Sequence, residues 1–147
     1  MKKLFTLITI SIGLLVISTP DAEARKNDRK NQSFSFVFLT DIHMEYAEKT
    51  MKSFDNTVKQ VNSLKPDFII TGGDNVKDAR LQRETYADSL YNLYLKQITR
   101  FTAPVYSGLG NHEVFGVANP RVDPATPMYG KKMYQAKIGP TYKSFTH

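Results

Sequence analysis

Apolar positions along this chain change period in an orderly way. Phe34-Ser35-Phe36 starts with a two-residue alternation and passes into Val37-Phe38-Leu39, the pattern of a strand buried on both faces. Met51, Phe54, Val58, Val61 and Leu64 recur at three- and four-residue steps, which predicts a helix that Pro66 stops. Phe68-Ile69-Ile70-Thr71 reads as a short buried strand. A second helix is expected over Leu81–Ile98, with Tyr86, Leu90, Leu93, Tyr94 and Ile98 on one side, and Pro104 to Leu109 predicts a third strand. The order β-α-β-α-β defines an α/β class with parallel strands and right-handed crossovers. Gly116 to Tyr129 carries Pro120, Pro124 and Pro127 and reads as a long irregular loop. Lys131 to Ile138 is expected as a short helix stopped by Gly139-Pro140, and Thr141 to His147 as the lead-in to a further strand.

A short polar cluster follows each apolar run: Asp41-Ile42-His43, Gly72-Gly73-Asp74-Asn75 and Gly110-Asn111-His112-Glu113. Ligands of open α/β sheets gather at the carboxyl ends of the strands. Asp, His and Asn are oxygen and nitrogen donors suited to hard and borderline divalent metals. Asp41 and His43, two apart in extended backbone, point to one side and can reach one metal. The alternative for a strand-end Asp is a turn former or helix cap. Gly72-Gly73 permits a tight turn beneath a ligand and leaves Asp74 projecting, where its two oxygens can bridge two cations. Asn111 offers a neutral oxygen. His112 is left for proton transfer or phosphoryl contact. Glu113 either orients that histidine or is solvated.

The amino terminus is of a different kind. Lys2-Lys3, the 14 apolar-rich residues Leu4 to Ile17, and Ala22-Glu23-Ala24 have the form of a secretory signal peptide over residues 1–24. Fourteen residues are too few for a membrane span, which needs roughly 20. Export to the periplasm or the medium is expected, with cleavage after Ala24 and no membrane span left in the mature chain. Residues 25–33 form a polar leader rich in Arg25, Lys26, Arg29 and Lys30, and the folded domain is expected over 34–147. The absence of cysteine removes any disulfide framework. A net charge of +6 favours phosphorylated or acidic ligands, and no aromatic-interleaved basic stripe singles out nucleic acid.

Taken in order, the three clusters resemble the signature of calcineurin-like metallophosphoesterases: Asp-x-His, then Gly-Asp, then Gly-Asn-His-Glu. The resemblance covers Phe34 to His147. It implies one β-α-β-α-β half of a four-layer α/β/β/α sandwich, here truncated. It further implies two divalent metals (Zn, Mn, Fe or Mg), with Asp41 and His43 on the first, Asp74 bridging and Asn111 on the second. His112, with Asn111, would meet the substrate phosphoryl group. The implied activity is hydrolysis of phosphoric mono- or diesters, on a small-molecule or nucleotide-like substrate, by a metal-bridging hydroxide.

The match also has gaps. The family supplies three further histidine ligands, whereas this chain has three histidines in all and His147 is its last residue. A fragment of a longer protein is therefore expected; the alternative is a non-catalytic binding module or pseudo-enzyme that keeps the fold. Lys77 occupies the place of the iron-binding tyrosine of purple acid phosphatases. Arg80 and Arg83 are read as the exposed face of the second helix, or else as phosphate contacts. A dinucleotide-binding reading fails because no Gly-x-Gly-x-x-Gly follows the first strand.

Overall fold

The computed structural model describes residues 33–146. The expected signal peptide, nearly all of the basic leader and His147 lie outside the described residues. Three parallel strands, β1 (Phe36–Leu39), β2 (Phe68–Thr71) and β3 (Val105–Ser107), form a sheet in the order β1-β2-β3. Helices α1 (Glu48–Leu64) and α2 (Glu84–Ile98) make the two crossovers, and a short α3 (Lys132–Lys137) follows. This is the alternation the hydrophobic pattern dictates. Each strand pair needs a crossover that a helix supplies.

The helix stripes find their core. α1 buries Phe54, Val58 and Val61, while Leu64 at its last turn stays 68% exposed. Lys65 then takes a left-handed conformation (φ 49°) and Pro66 prevents continuation. α2 buries Ala87, Leu90, Tyr91, Leu93 and Tyr94, whereas Tyr86 is exposed. It begins at Glu84, three residues later than expected. Backbone N–H groups of Ala79 (to His112 O), Gly116 (to Ala79 O) and Ala118 (to Arg80 O) tie residues 79–80 to neighbouring loops, so the helix cannot start there.

The two faces of the sheet differ. Val37, Ile69 and Val105, and Leu39, Thr71 and Ser107, align across the strands and face the helices. The opposite face carries Phe36 beside Phe68, and Phe38 beside Ile70 and Tyr106. Here the expectation of a first strand buried on both faces is corrected. Phe34, Phe36 and Phe38 are 51–58% exposed among the described residues. Phe36 and Phe68 stack at 5.4 Å between ring centroids. Residues 141–146 form no strand; Phe145 instead lies over the sheet, stacked on Tyr106 at 3.9 Å. A ring laid across a sheet face gives up strand pairing for apolar burial. Gly116 to Tyr129 contains turns without helix or strand, as expected, and is closed by the Phe115–Gly130 bridge.

Candidate metal centre

The chain leaves the ends of β1 and β2 in tandem. Gly72 N–H donates to Leu39 O, Asp41 N–H to Gly73 O, His43 N–H to Asp74 O and Met44 N–H to Asn75 O. The two loops thus run side by side beyond the strands and bring Asp41, His43 and Asp74 together. One ligand atom from each lies within 4.8 Å of the others. The expected meeting of Asp41 and His43 is present, with His43 Nε2 3.6 Å from Asp41 Oδ1. Its cause is not extended backbone, however. Asp41 (φ 55°), His43 (φ 48°) and Asp74 (φ 51°) are all left-handed, and the helix-terminating Lys65 is the other non-glycine residue at positive φ among the described residues. Such conformations cost about 1–3 kcal/mol each and gather where a site demands them.

Close approach at the third strand end completes the arrangement. A Cβ on Gly73 would lie 2.6 Å from Gly110 N, and one on Gly110 would lie 2.2 Å from Asp74 Oδ1. Only glycine lets the two loops touch. His112 N–H donates to Asp74 Oδ1 at 3.0 Å. The Asn111 amide lies 3.2 and 3.3 Å from the Asp74 carboxylate oxygens. Turned with its nitrogen toward them it donates, and its oxygen accepts from Arg80 Nη1 at 2.8 Å. Turned with its oxygen toward them, acceptor faces acceptor, which calls for a cation between. The two carboxylates and the imidazole of Asp41, Asp74 and His43 form a donor set that fits a divalent metal, with the Asn111 amide against Asp74 and the Arg80 guanidinium on the far side of Asn111.

Both site histidines are aimed by one main-chain atom. His43 Nδ1 lies 3.4 Å from Lys77 O, His112 Nδ1 bonds the same carbonyl, and the rings meet edge to face at 4.6 Å. Since a carbonyl only accepts, Nδ1–H is the tautomer selected in each. The Nε2 lone pair of His43 is then turned toward the Asp41 side. That of His112 faces Arg80 Nη2 at 3.2 Å, and a guanidinium only donates. The Lys77 side chain points elsewhere, pairing with Glu45 at 3.6 Å.

Asp78 and Thr40 escape sequence reading, and Arg80, read as helix face or phosphate contact, belongs not to α2 but to the site loop, ion-paired with Asp78 through Nε at 3.1 Å. Partial burial pulls the Asp78 carboxyl upward, but the Arg80 bonds and charge, aided by His112, hold it below its ordinary value. The place of Arg80 soon after the Asp74 loop is the signal the sequence offers. Arg83, by contrast, stands at the N-cap position of α2, where its carbonyl accepts from Ala87 N–H. Thr40 Oγ1 donates to Asp41 Oδ2 at 2.7 Å. Glu113 neither orients His112 nor is solvated. It is fully buried, and its carboxylate accepts backbone N–H bonds from Asp74 (2.9 Å), Val76 (3.0 Å) and Gly110 (2.7 Å). Burial pushes its carboxyl above the usual range, and those N–H bonds offset part of the rise. Beside Asp41 an open cleft of about 450 Å³ is lined by Thr40, Ile42, Glu45, Lys49 and Thr50 among others.

No curated protein sequence matches the chain. A crystal structure of a dimetal phosphatase from Danio rerio is similar at 14% identity and a TM-score of 0.49, over 65% of this chain and 33% of that one. The chain thus spans about a third of that phosphatase's length. The family model of calcineurin-like phosphoesterases matches residues 34–145, the stretch that carries all three polar clusters, and the chain belongs to the calcineurin-like phosphoesterase family.

Proposed function

We propose that this protein is an exported, metal-dependent hydrolase of phosphoric esters. The convergence of Asp41, His43 and Asp74 within 4.8 Å at adjoining strand ends carries the reading. Asp41 and His43 would hold a first divalent metal, Asp74 would bridge to a second, and Asn111 would ligate that second one through its oxygen. Bound there, the pair supplies Lewis-acid activation of the phosphoryl group and of an attacking water. The chain's own groups do the rest. The Lys77 carbonyl holds both imidazoles through Nδ1, which turns Nε2 of His43 toward Asp41 and Nε2 of His112 toward Arg80. Arg80, anchored by Asp78, presents a guanidinium beside His112 where phosphoryl oxygens would sit. His112 Nε2 accepts from Arg80 in this arrangement, so meeting a phosphoryl oxygen or protonating the leaving alkoxide through Nε2 requires that Arg80 move off and that Nε2 first take a proton from solvent. The cleft beside Asp41 gives the ester's leaving group a place to lie. Export is supported by the signal-peptide pattern of residues 1–24.

The test takes the complete exported protein, expected to begin at Arg25, and measures nitrophenyl phosphate mono- and diester hydrolysis with Mn²⁺ and with chelator. Metal-dependent turnover that falls at least about 100-fold in Asp74→Asn is the expected result. Metal binding without turnover of either ester would instead indicate a binding module. Activity untouched by Asp74→Asn would rule out a centre bridged by that residue.

A further inference from the structure

We infer that Glu113 is the positioning residue of this site: its buried carboxylate ties the Asp74 loop to the Gly110 loop and holds Asp74 in its bridging conformation. The inference rests on the metal reading above only for its effect on affinity. Asp74 occupies a left-handed conformation that an L-residue leaves unless something holds it. Three bonds do. Its carbonyl accepts from His43 N–H at 2.9 Å, its Oδ1 accepts from His112 N–H at 3.0 Å, and its own N–H donates to Glu113 Oε2.

The same Oε2 accepts from Gly110 N–H, one residue before Asn111, while Oε1 takes Val76 N–H. One side chain therefore spans the ends of β2 and β3, the two places from which the second metal's ligands come. Its own position is fixed from below. Tyr91 Oη, buried in α2, donates to Glu113 O at 2.6 Å. Tyr91 thus ties helix α2 to the main chain of Glu113. A buried carboxylate offers an acceptor oxygen at each end, and here both are taken by N–H donors, Oε2 by Asp74 and Gly110 and Oε1 by Val76. A glutamine cannot copy it. With its oxygen in the Oε2 place, its NH₂ faces Val76 N–H; reversed, it loses both Asp74 and Gly110.

The full chain, metal-free, is studied by amide hydrogen exchange, and then titrated with Mn²⁺. In the wild type, the amides of Asp74, Val76 and Gly110, though in loops, are expected to be protected like sheet amides. In Glu113→Gln they exchange about tenfold faster or more while Leu90 and Tyr94 in α2 keep their protection. Mn²⁺ affinity falls by about 10- to 100-fold, the range seen when partners behind metal ligands are lost. Unprotected loop amides in the wild type would overturn the inference without any variant. So would unchanged loop amides in Glu113→Gln, or equal loosening of α2, which would make Glu113 a general core residue. If Glu113→Gln does not fold, Glu113→Asp, with its carboxylate drawn back, must show the same selective loosening. A wild type that binds no Mn²⁺ strikes the metal reading, and the exchange data then decide Glu113 by themselves.

Discussion

Single residues carry the cost of this site, and glycine shows it most directly. Gly110 and Gly130 both lack a Cβ, for unlike reasons. A Cβ at Gly110 would meet Asp74 N at 2.3 Å, whereas one at Gly130 has nothing within 4 Å and suffers only from φ +69°. Gly110→Ala must push main chain apart and should cost about 2 kcal/mol or more. Gly130→Ala should cost about 1 kcal/mol. Urea unfolding of the two variants checks the ranking, and an equal loss would contradict the close contact at Gly110. The kinds of ligand were legible in the sequence because Asp41, His43, Asp74 and Asn111 each close an apolar run. The backbone that joins them was not. Left-handed φ at Asp41 and His43 depends on hydrogen bonds to the Gly73–Asp74 loop, over 30 residues away. Both readings of Glu113, as the partner of His112 or as a solvated group, fail for the same reason: its partners are main-chain atoms, which leave no mark in side-chain patterns.

At the scale of elements, periodicity located the strands and helices well, since each buries one face against the others. It failed where tertiary bonds overrule local preference. The helix-face reading of Arg80 fails because Ala79 and Arg80 are committed to loop bonds. Segment 141–146 has strand-like composition but caps the sheet with Phe145 rather than joining an edge. Tyrosines weld α2 and α3 to the strands. Tyr94 Oη bonds Ser107 Oγ at 2.6 Å, and Tyr134 Oη donates to Ser107 O at 2.7 Å. Burial first, and then the charges of Tyr94 and Glu113, push the Tyr134 hydroxyl up to about 12 from an ordinary 10.0. The folded state therefore holds this proton more tightly than the unfolded chain does. Stability from this group is complete below pH 10 and is lost as pH rises toward about 12. Urea midpoints should fall over that window, and Tyr134→Phe should flatten part of the fall. Burial raises Tyr91 and Tyr94 in the same direction, so the remainder belongs to them.

Across the described residues, the second face of the sheet is covered unevenly: Phe145 lies over Phe68 and Tyr106, while the aromatics of the first strand stay open. The helix face is a closed core, while Phe34, Phe36 and Phe38 present aromatic surface on the other. Contiguous apolar area of this kind binds other apolar matter. The folded chain should enhance the fluorescence of a hydrophobic dye such as anilinonaphthalene sulfonate, and Phe36→Ser with Phe38→Ser should remove most of that signal. Dye binding unchanged in the double variant would place the sticky surface elsewhere. No helix among the described residues is long and apolar enough to cross a membrane.

The carbonyl of Lys77 aims both histidines, while its amine stands 54% exposed in a surface pairing with Glu45 that is worth little. Position 77 can therefore change its side chain without disturbing either imidazole. Because the chain has no cysteine, Lys77→Cys creates a unique thiol for a fluorescent label at the rim of the site. The residue whose side chain has no part in the chemistry is thus the best place from which to watch the centre fill.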